Sequence, residues 1–153
     1  MFRTFDTTIN NMKYLYIILL IGALLFPGCS KDKVKPSEDY LLSQEISENL
    51  NTIKKAYLSK SKSIIKDRVE GALSESINNA LSFKKADLTF NQRLVRITGD
   101  TVKVSASWQG TWWLSSGREF QNRGIANLVF QRETLKLSGI TGDNPFILPE
   151  MKN

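Results

Sequence analysis

The sequence predicts an α+β domain in which two N-terminal helices pack on a curved four-stranded antiparallel meander sheet. Apolar residues recur at helical spacing between residues 42 and 80, and at alternate positions between residues 95 and 137. Three short turns then place the apolar residues of the alternating region on one face of the sheet. Such a face must be buried against a second layer, which the helices supply. We assign this single domain to residues 38–149 of the 153-residue chain.

An uncharged apolar run precedes the domain. Residues 14–26 read YLYIILLIGALLF and follow Lys13. These thirteen residues are too few for the roughly 20 that a membrane-spanning helix needs, but they match the apolar part of a signal peptide. We therefore assign residues 1–28 to a signal peptide. Met12 is a second candidate start, because MKYLYIILL begins directly with the positive charge that such signals carry.

The single cysteine, Cys29, follows this run in the sequence FPGCS. This stretch resembles the lipobox of bacterial lipoproteins in Gly28 and Cys29, and differs from it at Phe26 and Pro27. The resemblance implies an acyl anchor of the palmitate type on Cys29, in the cell membrane or outer membrane, with the domain facing the periplasm or the exterior. Each buried CH₂ contributes about 0.8 kcal/mol, so two or three chains hold firmly. The alternative is an uncleaved membrane helix with a buried thiol.

The lipidated cysteine and a polar tether, residues 29–37, lead into two predicted helices. Ser37 can cap the first of them. Its apolar stripe is Leu42, Ile46, Leu50, Ile53 and Tyr57. The second stripe is Ile65, Val69, Leu73, Ile77 and Ala80, with Gly71 as a weak point. We interpret the lysines of the tether and helices as solvated charges rather than as a binding patch, because they are spread and not aligned.

Strict alternation then predicts half-buried strands. Even positions from Val102 to Leu114 are apolar or glycine, and we expect a bend or bulge near Gly110. The three-residue loop Ser115–Gly117 predicts a hairpin. It pairs Trp112 with Phe120, Trp108 with Gly124, Ala106 with Ala126, Val104 with Leu128, and Val102 with Phe130.

Two further turns extend the meander. Gly99-Asp100 predicts a type II′ turn, because glycine comes first. It pairs Ile97 with Val102 and Val95 with Val104. Arg132-Glu133 predicts a second two-residue turn. It pairs Phe130 with Leu135 and Leu128 with Leu137.

The stretch from Ile97 to Phe146 resembles the C-terminal half of nuclear-transport-factor-2-like domains, in the GDxVxV hairpin at Gly99 and the GDNPF segment at Gly142. The resemblance implies a cystatin-like α+β cone with a ligand pocket at its wide end. Enzymes of that superfamily place His, Asp or Tyr in the cone. Here histidine is absent, and no aspartate or tyrosine falls in the buried pattern of the sheet. The resemblance therefore implies the scaffold and a pocket, and not the known chemistries.

Two candidate sites follow. A ligand pocket between helices and sheet would be lined by Trp108, Trp112, Leu114 and Phe120, although the same residues suit plain core packing. Trp113 is a large aromatic on the otherwise polar face of its strand, where it can anchor a partner. The alternative is that the segment NPFILP, residues 144–149, folds over Trp113 and buries it.

Composition narrows the function. The chain has no histidine and one cysteine, which removes the commonest general base, any internal disulfide and any thiolate metal cluster. We therefore predict no catalytic residue, metal or cofactor. We also predict no nucleic-acid partner, because an exported, membrane-tethered chain rarely meets nucleic acid and no RNP-like or helix-turn-helix pattern is present. The predicted function is that of a membrane-anchored extracytoplasmic lipoprotein that binds a small apolar ligand or an envelope protein. The alternative is a weak enzyme of the nuclear-transport-factor-2-like superfamily that acts on a small molecule in the cone.

Overall fold

The structure, a computed structural model, describes residues 35–148. The predicted signal peptide, Cys29 and the start of the tether lie outside these residues. The helices are α1 (Glu38–Leu58), α2 (Lys62–Arg68) and α3 (Gly71–Asn79). The strands are β1 (Lys85–Thr98), β2 (Thr101–Trp113), β3 (Glu119–Gln131) and β4 (Leu137–Gly142). All neighbouring strands are antiparallel in the order β1-β2-β3-β4, which confirms the α+β class and the meander.

Helix α1 begins and packs as its sequence predicts. The Ser37 hydroxyl accepts a hydrogen bond from the Tyr40 amide at 3.2 Å, and Glu38 and Asp39 occupy the first turn, where the helix dipole favours negative charge. Its stripe buries Ile46, Leu50, Ile53 and Tyr57 completely or almost so. No helix in residues 35–148 is long and apolar enough to cross a membrane.

The second predicted helix is instead two helices. Val69 adopts an extended conformation with φ −126° and ψ 140°, and Gly71 has φ +33°. The break lets the Glu70 amide donate to the Leu137 carbonyl at 2.9 Å, so that the chain joins the edge of β4 for one bridge. Ile65, Val69 and Ile77 are nevertheless buried, so the apolar spacing was informative about burial although the helix is interrupted.

The first two turns of the sheet have the predicted register. Trp112 opposes Phe120 and Val102 opposes Phe130, with every predicted pair between them in place. Gly117 has φ +83° in the hairpin loop, a conformation that glycine adopts without steric cost. Gly99 has φ +53°, and Ile97 opposes Val102 across that turn.

The predicted turn at Arg132-Glu133 is wrong. Phe130 opposes Leu137 rather than Leu135, and Leu128 opposes Ile140. Leu135 takes φ +57°, and its amide donates to the Gln131 carbonyl at 2.9 Å, which closes a longer turn. The side-chain amide of Asn49 on α1 donates to the Leu135 carbonyl and holds this turn against the helix.

The bulge predicted near Gly110 lies elsewhere. Strand β2 runs without interruption, and the register shifts in β1 between Gln92 and Leu94, at Arg93. Gly110 serves packing instead, because a Cβ there would collide with the six-membered ring of Trp112. Glycine is needed at position 110 because the Trp112 ring lies against the backbone there, and not because the strand bends.

The core fills the face of the sheet that the helices cover, which we call the inner face. The Trp112 indole N–H donates to the Tyr57 hydroxyl at 2.9 Å, and both residues are fully buried. The Tyr57 ring contacts Phe83 and Phe146, with centroids 5.0 and 5.3 Å away. Phe146 follows β4, so the end of the described chain turns back under the sheet and completes the core.

Candidate functional site on the outer face of the sheet

The opposite face of the sheet, here called the outer face, carries the odd-numbered side chains of β1, β2 and β3 up to the bulge at Arg93. Most of these side chains are exposed. They form four rows of three, each row crossing the sheet from β1 to β3. The rows are Lys85–Trp113–Glu119, Asp87–Thr111–Gln121, Thr89–Gln109–Arg123 and Asn91–Ser107–Ile125.

The two middle rows line an open cleft of about 550 Å³, which we call the outer-face cleft. Its lining is Asp87, Thr89, Gln109, Thr111, Gln121 and Arg123, with Gly110 and Asn122. A second cleft of about 650 Å³ shares Thr89, Gln109 and Arg123 with the first. Its other lining residues are Asn91, Ser107 and Ile125 of the next row, with Phe90, Trp108, Gly124 and Asp143. The two clefts therefore meet at the Thr89–Gln109–Arg123 row.

The polar groups of the outer-face cleft are largely unused by the fold. Within residues 35–148, neither the Asp87 carboxylate nor the Arg123 guanidinium has a hydrogen-bond or ion-pair partner. Asp87 lies on β1 and Arg123 on β3, one row further along and with β2 between them, and their side chains form no ion pair. Gln121 donates to Glu119 at 2.8 Å, which leaves its carbonyl oxygen free to accept. The cleft thus offers one negative and one positive group with neutral amides and hydroxyls between them.

Trp113 lies outside the lining of the cleft, in the row next to that of Thr111. Its indole N–H donates to Glu119 at 2.8 Å, and the Lys85 ammonium lies 5.0 Å from the ring centroid. The residue is half-buried. The segment after β4 does not cover it: Phe146 packs on Tyr57 and Phe90 at the inner face. Trp113 is therefore held in place by its own row, in a position to contact a ligand.

The four residues of the predicted ligand pocket all lie at the inner face. Trp108 and Trp112 are buried and meet edge to face, with centroids 6.2 Å apart and planes at 81°. Leu114 and Phe120 are half-buried, and the Arg118 guanidinium lies 5.7 Å from the Phe120 ring. Trp108 also borders the second outer cleft, whereas the other three line none of the clefts described above. The apolar pocket stays a prediction.

Buried titratable groups and clusters of possible metal ligands are scarce in the described part of the chain. No group of three or more His, Cys, Asp or Glu side chains in the described part of the chain could hold a metal ion. Burial raises the pKa of Tyr57 to about 12, and the hydrogen bond from Trp112 opposes this only in part. The Tyr57 phenol therefore stays protonated at neutral pH and has no access to solvent.

The outer-face cleft was not anticipated as a site. Sequence reasoning treated the alternate polar positions as a solvated face. Extended without the bulge at Arg93, the predicted register sets Asp87 opposite Trp112 and not Thr111, so it did not bring Asp87 beside Gln109 and Arg123. The signal that could have revealed it is composition: lysine is scarce in these two rows, whereas amides and hydroxyls are frequent.

Comparison with known proteins identifies the fold. No protein-family model matches the chain, and no curated protein matches it in sequence. Among solved structures it is similar to a nuclear transport factor 2 (NTF2-like) superfamily protein from Salmonella enterica subsp. enterica serovar Typhimurium str. LT2. The TM-score is 0.57 at 12% identity, over 74% of this chain and 97% of that one. At this identity the likeness shows the NTF2-like fold and nothing finer.

A second solved structure, TsrD from Streptomyces laurentii, aligns with a TM-score of 0.42 and 13% identity, over 71% of this chain and 90% of that one. A score this low carries no argument about fold or function.

Proposed function

We propose that this protein is a lipid-anchored, non-catalytic binding protein of the cell envelope that holds a ligand in the outer-face cleft. The observation that carries the proposal is the cleft itself: Asp87 and Arg123 have no internal partner and face solvent among neutral donors and acceptors. A concave surface with a few convergent polar groups is the usual form of a ligand site.

Binding without chemistry is supported by the arrangement of the charged groups. The two charges of the cleft are exposed and separated by the width of β2, so neither can activate the other as an acid or base. Tyr57, whose pKa is raised, is fully buried and engaged with Trp112. Nucleophile–base catalysis would need two titratable groups within hydrogen-bond reach of each other.

The anchor is supported by sequence. The lipobox-like FPGCS places Cys29 eight residues before Ser37, and an extended tether of that length reaches about 28 Å at 3.3–3.6 Å per residue. The domain would then stand off the bilayer with the cleft free to meet a ligand or an envelope protein. The polar lining favours a hydrogen-bonding ligand over the apolar one that the sequence alone predicted.

The test uses the full-length protein, extracted in detergent from its own membrane and analysed by native mass spectrometry. Thr111 lies in the middle strand of the cleft, so Thr111→Trp fills it. Thr141→Trp is the matched control, because Thr141 lies on β4 and lines neither cleft. We expect a bound mass on the wild type and on Thr141→Trp, and none on Thr111→Trp, with all three melting alike. Retention of the mass by Thr111→Trp would contradict the proposal.

A further inference from the structure

We infer that the ligand of the outer-face cleft is a neutral oligosaccharide. The assignment rests on the proposed function, because it names the ligand class of the same cleft. It follows from the kinds of hydrogen-bonding group in the two middle rows, from the length of the joined clefts, and from the aromatic residue at their border.

The hydrogen-bonding inventory selects hydroxyl groups. Asp87 can only accept, Arg123 can only donate, and Thr111, Gln109 and Gln121 can do both. A ligand made of hydroxyls, each of which donates and accepts, can satisfy all of these groups at once. A purely anionic ligand would be repelled by Asp87 and Glu119, and a purely cationic one by Arg123 and Lys85.

The shape of the site selects a chain rather than a single ring. The two clefts share three residues and extend over three rows of side chains, from the Asp87 row to the Ser107 row. Successive rows are two residues apart, or about 7 Å along a strand, so the joined clefts extend about 14 Å between the outermost rows. The floor is the surface of a paired sheet and is open to solvent on its outer side, which leaves room for a linear polymer to enter and leave.

Trp113 gives the site an apolar border. A pyranose ring presents C–H groups on its faces and hydroxyls at its rim, so it can lie on an indole while its rim reaches the polar rows. The bond from the indole N–H to Glu119 holds Trp113 in one orientation. The Lys85 ammonium beside the ring belongs to a flexible side chain and can move aside.

A peptide fits the cleft less well. Peptides dock on sheets mainly by adding a strand to an edge, where free backbone groups are available. The floor of the cleft is β2, whose backbone already pairs with β1 and β3 on both sides. Threonines, glutamines and charged groups line the outer-face cleft, and apolar side chains (Phe90, Trp108 and Ile125) occur only in the second cleft.

The experiment is calorimetric titration of the full-length protein, in a detergent without a sugar headgroup, with linear tetrasaccharides of glucose and of N-acetylglucosamine. We expect saturable binding of at least one of them. Asp87→Ala and Arg123→Ala should each weaken it by tenfold or more, whereas Thr141→Ala should leave it within twofold. Tryptophan fluorescence locates the ligand: its change on binding should be smaller in Trp113→Phe than in the wild type, with the remainder coming from Trp108, which borders the second cleft, because Trp112 is fully buried.

The outcomes distinguish a failure of the saccharide assignment from a failure of the proposed function. No heat of binding with any tetrasaccharide, or equal affinity in wild type, Asp87→Ala and Arg123→Ala, would overturn the saccharide assignment. Tighter binding of polyglutamate than of the sugars would overturn it in favour of an anionic partner. In each case the proposed function survives if Thr111→Trp still removes the mass that co-purifies with the wild type, and falls if it does not.

Discussion

Asp143 links β2, β3 and the segment after β4 through its backbone carbonyl and its carboxylate. Its carbonyl accepts a hydrogen bond from the Trp108 indole at 2.8 Å, and its carboxylate accepts one from the Ile125 amide at 3.0 Å. The side chain occupies the space above Gly124, where a Cβ would stand. Asp143 therefore closes the edge of β3 and directs the following segment toward the core, where Phe146 is buried.

This contact makes a stability prediction. Gly124→Ala should lower the free energy of unfolding by about 1–3 kcal/mol, because the new methyl group displaces Asp143 and weakens both of its hydrogen bonds. The measurement is denaturant unfolding. Gly139→Ala is the control, since its added Cβ would meet only Val129, at an ordinary 3.9 Å. Equal losses in the two variants would show that Asp143 does not depend on Gly124.

At the scale of elements, the hairpins differ in how strongly their sequences specify them. The β2–β3 hairpin combines strict alternation with a glycine at φ +83°, and the two features agree on one register. The β3–β4 turn has no glycine. Its shape depends on Leu135 at φ +57° and on a bond from Asn49, which is 86 residues away. Local reasoning could predict the first turn and could not predict the second.

The hairpin loop can be tested with two neighbouring positions. Gly117→Val should destabilise the fold by about 1–2 kcal/mol, because a β-branched residue is forced to adopt a positive φ. Ser116→Val, at the adjacent exposed position, should cost much less. Thermal melting of both variants measures the difference. If they melt at the same temperature, the loop tolerates φ > 0 at residue 117 without strain.

For the whole molecule, the sequence predicted the layers better than the site. Period-two alternation reports which side chains are buried, so the inner face, the strand order and most of the core could be read directly. A binding surface made of exposed polar residues has no such signature, because amides and hydroxyls on a strand look the same whether they meet water or a ligand. The partners on three strands had to be placed side by side before Asp87 and Arg123 became a site.

The proposed attachment of the whole molecule to a membrane gives a prediction that is independent of the cleft. Cells grown with an alkyne fatty acid should label the wild-type protein and not Cys29→Ser, because the thiol is the only sulfhydryl that can carry the acyl chain. Labelling is read by gel fluorescence after coupling to a dye. Equal labelling of the two proteins would contradict the lipid anchor and leave the outer-face cleft unaffected.

The bulge at Arg93 limits how a strand of another molecule can pair with the β1 edge of the sheet. Strand β1 is an edge of the sheet, and its 14 residues would be a long template for a strand of another molecule. Under the lipid anchor proposed above, chains tethered to one bilayer would meet at high effective concentration, which favours such pairing. Because the register shifts at Arg93, an incoming strand that pairs with one half of β1 is out of step with the other half. One additional residue thus makes the long edge strand a poorer template for edge-to-edge aggregation.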